Sequence, residues 1–233
     1  MNIDSNTNFA EGEILVFDKP LYWTSFDLVK KVKNLIHNKF GYKKLKVGHA
    51  GTLDPLANGI LIICTGKKTK TISQIQDMDK EYVGTFKLGE TTPSFDLETV
   101  VDKKYKTNHI TESRIISVLE SFVGEQDQVP PLFSAKNIDG KRAYEYARKG
   151  IERELAPRKI VIHEMELLNC DMPYIKVRVK CTKGTYIRSL ARDVGNALDS
   201  GAHLTELRRT FIGAYGLSEA MTLDFFEEKI KAL

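Results

Sequence analysis

Residues 46–59 read KVGHAGTLDPLANG, and this stretch is the most informative part of the sequence. Its glycines at 48, 51 and 59 and its single proline predict a structured loop. The apolar run that follows, residues 60–64, predicts a buried strand. The stretch therefore predicts a loop that leads into the core of the fold and carries one carboxylate, Asp54.

Asp54 is the only acidic residue between Lys30 and Lys70, an interval that contains ten lysines. The whole chain carries 35 Lys and Arg against 31 Asp and Glu, so acidic side chains predominate outside this interval. Such local basicity indicates an anionic partner. Because nearby cations favour the ionised form of a carboxyl group, Asp54 is expected to act as a nucleophile or a base.

Length and composition are those of an ordinary globular protein. A chain of 233 residues can form one large domain or two small ones. The longest apolar run, 60–64, is far too short to cross a bilayer, so no membrane role is expected. Residues 1–12 lack the cationic start and apolar core of a signal peptide. We expect them to form a flexible lead, and we expect a cytoplasmic protein.

Metal and nucleotide sites lack support in the sequence. The three cysteines at 64, 170 and 181 form no Cys-x-x-Cys pair, and no histidine stands at ligand spacing beside them. Gly59, Gly66 and Lys67 suggest a phosphate loop, but the spacing between the glycines is too long. No dinucleotide fingerprint follows a predicted strand. We therefore expect neither a metal nor a cofactor.

The rest of the sequence predicts a mixture of strands and helices. A strand is predicted at 14–17, and Thr24 and Asp27 have the capping-box spacing that starts a helix with outward-facing lysines. Residues 82–88 alternate as a half-buried strand does. Further strands are predicted over 160–168 and 174–181, and further helices begin at 111, 142 and 187. Without a repeat or a linker, we expect one unit of α+β structure.

Residues 48–59 closely resemble the catalytic loop of the TruB family of tRNA pseudouridine synthases. Other segments resemble further motifs of that family in the same order: 18–20, 79–82, 144–148, 183–188 and 207–209. The resemblance implies a mixed, largely antiparallel sheet flanked by helices, in a single catalytic domain over 13–233. It also implies an RNA-binding excursion at about 124–155. Because few residues follow Arg208, an appended C-terminal RNA-binding domain is not expected.

The same resemblance implies a reaction and a set of residues. The enzyme would isomerise uridine to pseudouridine at position 55, in the TΨC loop of tRNA, as a monomer and without a cofactor. Asp54 would attack a flipped-out nucleotide, and Arg188 would pair with Asp54. Tyr82 would stack on the uracil or relay a proton, and His49 would contact the RNA. The other residues expected to support the site are Lys19, Tyr186 and Leu207.

Three positions, in two segments, depart from the family pattern. Tyr22 stands where the family usually has glycine, so we expect a different backbone in that turn. Pro93 and Phe95 stand where smaller or acidic residues are common, so we expect the loop over 88–96 to contact RNA differently.

Two other classes of protein remain open. A non-catalytic RNA-binding protein needs the basic surface but not Asp54, which on its own belongs to a common turn dipeptide with Pro55. A nucleoside glycosylase would release uracil. Glycosidic hydrolysis usually needs two carboxylates, and the basic interval offers one, which disfavours the glycosylase.

Overall fold

A computed structural model describes residues 3–4, 6–134, 137–138, 140–147, 149–151, 153 and 155–233. In this part of the chain the helices are α1 (Ser25–Phe40), α2 (Ile72–Asp77), α3 (Glu112–Ser121), α4 (Ala143–Ala147), α5 (Ile187–Ala197) and α6 (Leu223–Ala232). The strands are β1 (Ile14–Lys19), β2 (Val47–His49), β3 (Ala57–Thr65), β4 (Lys80–Leu88), β5 (Glu90–Thr91), β6 (Lys103–Lys104), β7 (Gly124–Gln128), β8 (Asn137–Ile138), β9 (Lys141–Arg142), β10 (Arg158–Asp171), β11 (Tyr174–Cys181), β12 (Ala202–Ile212) and β13 (Tyr215–Gly216).

The chain divides into two compact units. The first unit contains Met1–Tyr82 and Arg208–Leu233, and the second contains Val83–Leu207. The sequence predicted one unit over 13–233. Both boundaries fall inside strands, β4 and β12, so the proline, glycine or polar linker that usually marks a boundary is missing there.

The first unit is built around β3, which pairs antiparallel with β1 and with β2. Both faces of β3 are buried. Leu61 and Ile63 belong to a core cluster that also includes side chains of α1 and α6, and Ile60 and Ile62 belong to a second cluster. Burial on both faces explains why this strand is a continuous apolar run and does not alternate.

The observed strand is longer than the sequence predicted. The strand β3 begins at Ala57, and β2 includes Gly48 and His49, so the predicted loop over 48–59 loses both its ends. Pairing with β1 continues as far as Gly59, opposite Lys19. Strand pairing at a distance in sequence therefore overrides the local turn signals of these glycines.

Helix α1 starts and packs as its sequence predicts. Thr24 is the N-cap, and the Thr24 and Asp27 side chains complete a capping box. The buried face contains Leu28, Val29 and Val32 among others, and the helix ends at Gly41 in the left-handed conformation. Both the capping box and the inward apolar stripe are confirmed.

The N-terminal segment does not behave as a flexible lead over its whole length. Phe9 is fully buried in the core of the first unit, and its ring packs edge-on against Phe40 at a centroid distance of 5.5 Å. Ile3 belongs to the same core cluster. The expectation of a flexible lead is thus corrected at these positions, because two apolar side chains in a polar segment are enough to bury it locally.

The second unit contains the strand order β4, β11, β10, β7. The pairs β10–β11 and β10–β7 are antiparallel. Alternate residues of β11, among them Ile175 and Val177, are buried, which confirms the predicted pattern. Helix α3 packs against β10 and against α5. The buried residues of α5 include Leu190 and Val194, as its helical spacing predicts.

These features confirm the predicted α+β class with a largely antiparallel sheet and flanking helices. The predicted excursion at about 124–155 begins with β7 and includes α4. Six residues of that interval lie outside the described part: Ala135, Lys136, Asp139, Arg148, Glu152 and Glu154. Arg148 of the family-like segment 144–148 is one of them. No helix in the described residues is both long enough and apolar enough to cross a membrane.

Candidate active site

The loop that carries Asp54 connects β2 to β3, and the Arg209 side chain holds its backbone by hydrogen bonds. The Arg209 side chain is 2% exposed. Its guanidinium donates hydrogen bonds to three backbone oxygens, those of Ile60 at 2.8 Å, Gly51 at 3.2 Å and Thr52 at 3.4 Å. One buried cation therefore fixes the backbone on both sides of Asp54, because the acceptors lie before and after it in the chain.

Glycine is required where this loop meets β12. Gly59 has a φ of 101°, a conformation that strains any residue with a Cβ atom. A Cβ atom at Gly59 would also collide with the backbone of Arg209. Because Gly59 has no side chain, the backbone of β12 lies close to this loop, and the Arg209 side chain can donate hydrogen bonds to the loop carbonyls.

A second anchor joins the loop to the start of α1. The hydroxyl of Ser25 is buried; it accepts a hydrogen bond from the Leu53 N–H at 2.9 Å and donates one to the Leu53 carbonyl at 3.1 Å. Leu53 itself is buried. The residue that precedes Asp54 is thus held by packing and by two hydrogen bonds.

Lys19, predicted as a supporting residue, is fully buried at the end of β1. Its ammonium donates to the carbonyls of Pro20 at 2.8 Å and Trp23 at 2.6 Å. Burial lowers the pKa of Lys19 to about 8, the negative charge of Asp54 opposes this shift, and the positive charge of Arg209 adds to it. Lys19 and Asp54 therefore interact electrostatically within the first unit.

His49 lies at the end of β2, half-buried, in the same unit. Burial lowers its pKa, a hydrogen bond with the Gly51 backbone opposes the shift, and the charge of Arg209 lowers it further. Its Nδ1 atom is buried and has no hydrogen-bond partner among the described residues. The neutral imidazole is thus favoured near pH 7, while contact with RNA stays a prediction.

Tyr82 lies in β4, where the first segment of the first unit ends, and is 9% exposed. Residues of β4 alternate between buried and half-buried, with Tyr82, Gly84, Phe86 and Leu88 on the buried side. This confirms the predicted alternation. The role of the Tyr82 ring toward a substrate stays a prediction.

The turn at Tyr22 corrects the expectation of a different backbone. Tyr22 has a φ of 67°, which is the left-handed conformation that glycine adopts readily. The Tyr22 N–H donates to the carbonyl of Pro55 at 2.7 Å. The turn therefore keeps the glycine type of backbone in spite of its tyrosine, because this hydrogen bond and those of Lys19 hold it in place.

The arginine motif belongs to the second unit. Arg188, in the first turn of α5, is 4% exposed and lies 3.5 Å from the Asp96 carboxylate and 3.3 Å from the Ser94 carbonyl. Tyr186 precedes the helix, and its backbone exchanges two hydrogen bonds with the Gln128 side chain, at 2.8 and 3.1 Å. Leu207 is half-buried in β12. Pairing of Arg188 with Asp54 stays a prediction.

The loop over 88–96, where the sequence departs from the family pattern, lies in the second unit and contains an aromatic ring in contact with a cation. Phe95 has a φ of 63°, and the Arg192 guanidinium lies 4.7 Å from the centre of its ring. Phe95 thus has an intramolecular contact that smaller residues could not provide. Its relation to RNA stays a prediction.

The sequence missed the role of Arg209, which it grouped with Arg208 as a basic surface point. Arg208 fits that expectation, since it is partly exposed and pairs with Asp18 at 2.6 Å. Arg209 does not, because its guanidinium is buried against the loop backbone. The sequence predicted no strand over 202–212, where β12 lies. Adjacent residues of a strand point to opposite faces, so a strand prediction there would have distinguished the two arginines.

No group of three or more His, Cys, Asp or Glu residues that could hold a metal ion occurs in the described part of the chain. The cysteines at 64, 170 and 181 are free thiols. Burial raises the pKa of Cys64, which favours the protonated thiol.

Comparison with known proteins gives consistent matches along the chain. Residues 37–187 match the family described as TruB family pseudouridylate synthase (N terminal domain), and residues 188–232 match the tRNA pseudouridylate synthase B C-terminal domain. A protein of Phocaeicola vulgatus named tRNA pseudouridine synthase B is 56% identical over 221 residues, or 95% of this chain and 94% of the relative. A protein of Flavobacterium johnsoniae with the same name is 54% identical over 96% of this chain and 98% of the relative.

Among solved structures, a chain from a Cbf5–Nop10–Gar1 complex is similar, with a TM-score of 0.72 and 31% identity. The match covers 94% of this chain and 54% of the other, so this chain spans about half the length of that protein. The two proteins therefore share a fold over nearly the full length of the shorter chain.

Proposed function

Since the chain belongs to the TruB family of pseudouridylate synthases, we propose that it isomerises the uridine at position 55, in the TΨC loop of tRNA, with Asp54 as the nucleophile. Family membership makes the chain an isomerase. Relatives named for tRNA support tRNA as the substrate. A cytoplasmic monomer remains the expectation from sequence.

One observation carries the assignment of Asp54. The loop around it is fixed at Gly51, Thr52 and Ile60 by Arg209 and at Leu53 by Ser25. Directly after Asp54, the backbone is again held at Pro55 by Tyr22. A reactive group must be held within about 0.5 Å of its productive position, and a loop with this many anchors meets that need.

The electrostatic surroundings support the same role. Lys19 and Arg209 are both buried cations, and their charges act on the space around Asp54. Buried charges are screened by salt much less than exposed ones. Asp54 thus lies within the field of two cations that salt screens only weakly, which suits a carboxylate nucleophile.

The isomerisation needs no water and no second substrate. The bond between N1 of uracil and C1′ of ribose breaks, a bond between C5 and C1′ forms, and the hydrogen on C5 is replaced by one on N1. Asp54 can serve this reaction by attack on the base or on the ribose. Tyr82 would stack on the detached uracil or relay the proton, and Arg188 would pair with Asp54.

The target nucleotide must leave the stack of the RNA loop before it can react. Stacking on an aromatic ring is worth roughly 1–3 kcal/mol per base, which offsets much of the cost of flipping. Tyr82 would supply that ring. His49, whose lowered pKa favours the neutral imidazole, would contact the rearranged RNA without adding charge.

The direct test uses an unmodified TΨC stem-loop and chemical mapping of pseudouridine. We expect the protein to convert one uridine, at position 55, without a change in RNA mass. Asp54→Asn should reduce single-turnover conversion by about 10⁴-fold or more, because the isosteric amide removes the nucleophile. The dissociation constant for the stem-loop should change by no more than about threefold.

Four outcomes separate the alternatives. Release of free uracil would identify a glycosylase, and conversion that persists in Asp54→Asn would remove the proposed nucleophile. Binding of the stem-loop by the wild-type protein without conversion would favour a non-catalytic RNA-binding protein. If a different RNA is converted instead, the assignment of the substrate is wrong, but the proposed isomerisation is retained.

A further inference from the structure

Two aromatic side chains stand in solvent at the start of α1. Tyr22 is 78% exposed and Phe26 is 69% exposed, although Trp23 between them packs against the core of the first unit. Leu21, next to Tyr22, is also exposed. Single exposed apolar residues are common on proteins, but two aromatic rings this open and this close in sequence call for a reason.

Tyr22 is more than an exposed residue, because its backbone is strained. Its φ of 67° lies where bulky L-residues are rare, and glycine would occupy the same position without strain. The exposed ring gains no packing in the core that would compensate. Strained residues that persist in this way are typical of functional sites.

Hydrogen bonds to the Asp54 loop and from Lys19 hold Tyr22 in this strained conformation. The Tyr22 N–H donates to Pro55, the residue after Asp54, at 2.7 Å. The buried ammonium of Lys19 holds the carbonyls on either side of Tyr22, those of Pro20 and Trp23. The position of the Tyr22 backbone is therefore coupled directly to the Asp54 loop.

Phe26 continues this surface along α1. Positions 26, 30 and 33 are spaced by four and three residues, so Phe26, Lys30 and Lys33 lie on one face of the helix, and all three are exposed. Among the described residues, no ion pair to Lys30 or Lys33 is observed, although the charge of Lys30 acts on the nearby Asp27 carboxylate. Lys31, on another face, is instead paired with Glu227 at 2.7 Å.

We propose that Tyr22 and Phe26 form a stacking platform for a nucleobase beside the target nucleotide, with Lys30 and Lys33 binding the adjoining phosphates. Aromatic rings followed by unpaired cations are the combination that binds single-stranded RNA segments. The cations on the same face favour a polyanion over an apolar protein partner. This inference rests on the proposed function for its choice of RNA, but not on the chemistry of Asp54.

The test measures binding of the unmodified TΨC stem-loop to Tyr22→Gly, Phe26→Ala and the double variant. We expect the dissociation constant of the double variant to rise about 5- to 100-fold, because two stacking surfaces are lost. Tyr22→Gly should unfold at a temperature no lower than the wild type, since glycine relieves the strained φ. Loop positions other than the target are replaced one at a time by 2-aminopurine. At one of these positions, the wild-type protein should quench the 2-aminopurine fluorescence, and the double variant should not.

Phe225→Ala is the matched control. Phe225 is also an exposed aromatic residue on a helix of the first unit, with Lys229 over its ring at 5.4 Å. This variant should bind the stem-loop within about twofold of the wild type. Tyr22→Phe, which keeps the ring, should bind as the wild type does.

Equal dissociation constants for the double variant and Phe225→Ala would overturn the platform. A loss of affinity in Tyr22→Phe as large as in Tyr22→Gly would also overturn it, because the ring would not be the cause. Binding without conversion by the wild-type protein would defeat the proposed function only. Full conversion with unchanged kcat/KM in the double variant would defeat the platform only.

Discussion

Within the first unit, cations lie around the Asp54 loop and on the exposed face of α1, but the two sets differ in exposure and in role. At the loop, Arg209 and Lys19 are buried and donate hydrogen bonds to backbone carbonyls. On α1, Lys30 and Lys33 are exposed. The buried charges therefore position the backbone and set the local potential, whereas the exposed charges are available to an external anion.

The largest effect is expected from Arg209→Met, which removes the central hydrogen-bond donor of the loop. Three carbonyls lose a charged donor, so we expect the free energy of unfolding to fall by about 3 kcal/mol. The catalytic rate should fall as well, because the loop that carries Asp54 loses its main anchor. Denaturant unfolding and single-turnover conversion measure the two effects.

Arg208→Met is the control for that variant. Arg208 is a neighbour in the same strand, but its ion pair with Asp18 is partly exposed, so its loss should cost at most about 1 kcal/mol. Equal destabilisation by the two variants would show that burial of Arg209 does not matter. The comparison between buried and exposed cations would then fail.

A smaller effect is expected from the titration of Lys19. In the folded protein its charge is lost as the pH rises through about 8, below its ordinary value of 10.5. Loss of this cation weakens the field at Asp54, so we expect the catalytic rate to fall above pH 8 by up to about tenfold. Lys19→Gln should be less active at pH 7 and should lack this alkaline decrease.

The stability of the wild-type protein should respond in the opposite direction. Because the pKa of Lys19 is lower in the folded state, the unfolded chain binds more protons between pH 8 and 10.5. The contribution of this group to the free energy of unfolding therefore rises with pH across that window. An unchanged alkaline decrease of activity in Lys19→Gln would assign the titration to another group.

The smallest effect is expected from the double variant Lys30→Gln/Lys33→Gln. Both side chains are exposed, so the free energy of unfolding should change by less than about 0.5 kcal/mol. The slope of log binding constant against log salt should flatten by about 1.4, or 0.7 for each phosphate contact with single-stranded RNA. Lys31→Gln, which removes the partner of Glu227, is the control and should leave the slope unchanged.

Much of the fold could be predicted from local pattern. The capping box at Thr24 and the alternation of β4 and β11 predicted elements that the structure confirms. The family resemblance of 48–59 is confirmed by the match to the family. The limits of β3 could not be predicted, because pairing with β1 extends it into residues that read as a loop. The burial of Phe9 was missed for the same reason, since its partner Phe40 is distant in sequence.

The candidate site divides along similar lines. The isolated carboxylate at Asp54 and the segments in family order are visible in the sequence, because residue type and spacing are local properties. The backbone at Tyr22 could not be predicted, since residue preference favours another conformation, and the observed one is held by hydrogen bonds to Pro55 and from Lys19.

The class of fold, the family and the identity of the candidate nucleophile can be read from the amino-acid sequence, because each depends on contiguous motifs. Which of the cations are buried becomes visible only in the folded protein. Arg208 and Arg209 are the same residue type in adjacent positions, yet one pairs with a partly exposed carboxylate and the other holds the Asp54 loop. Strand geometry sends neighbouring side chains to opposite faces, and what lies on each face is set by segments far away in the chain.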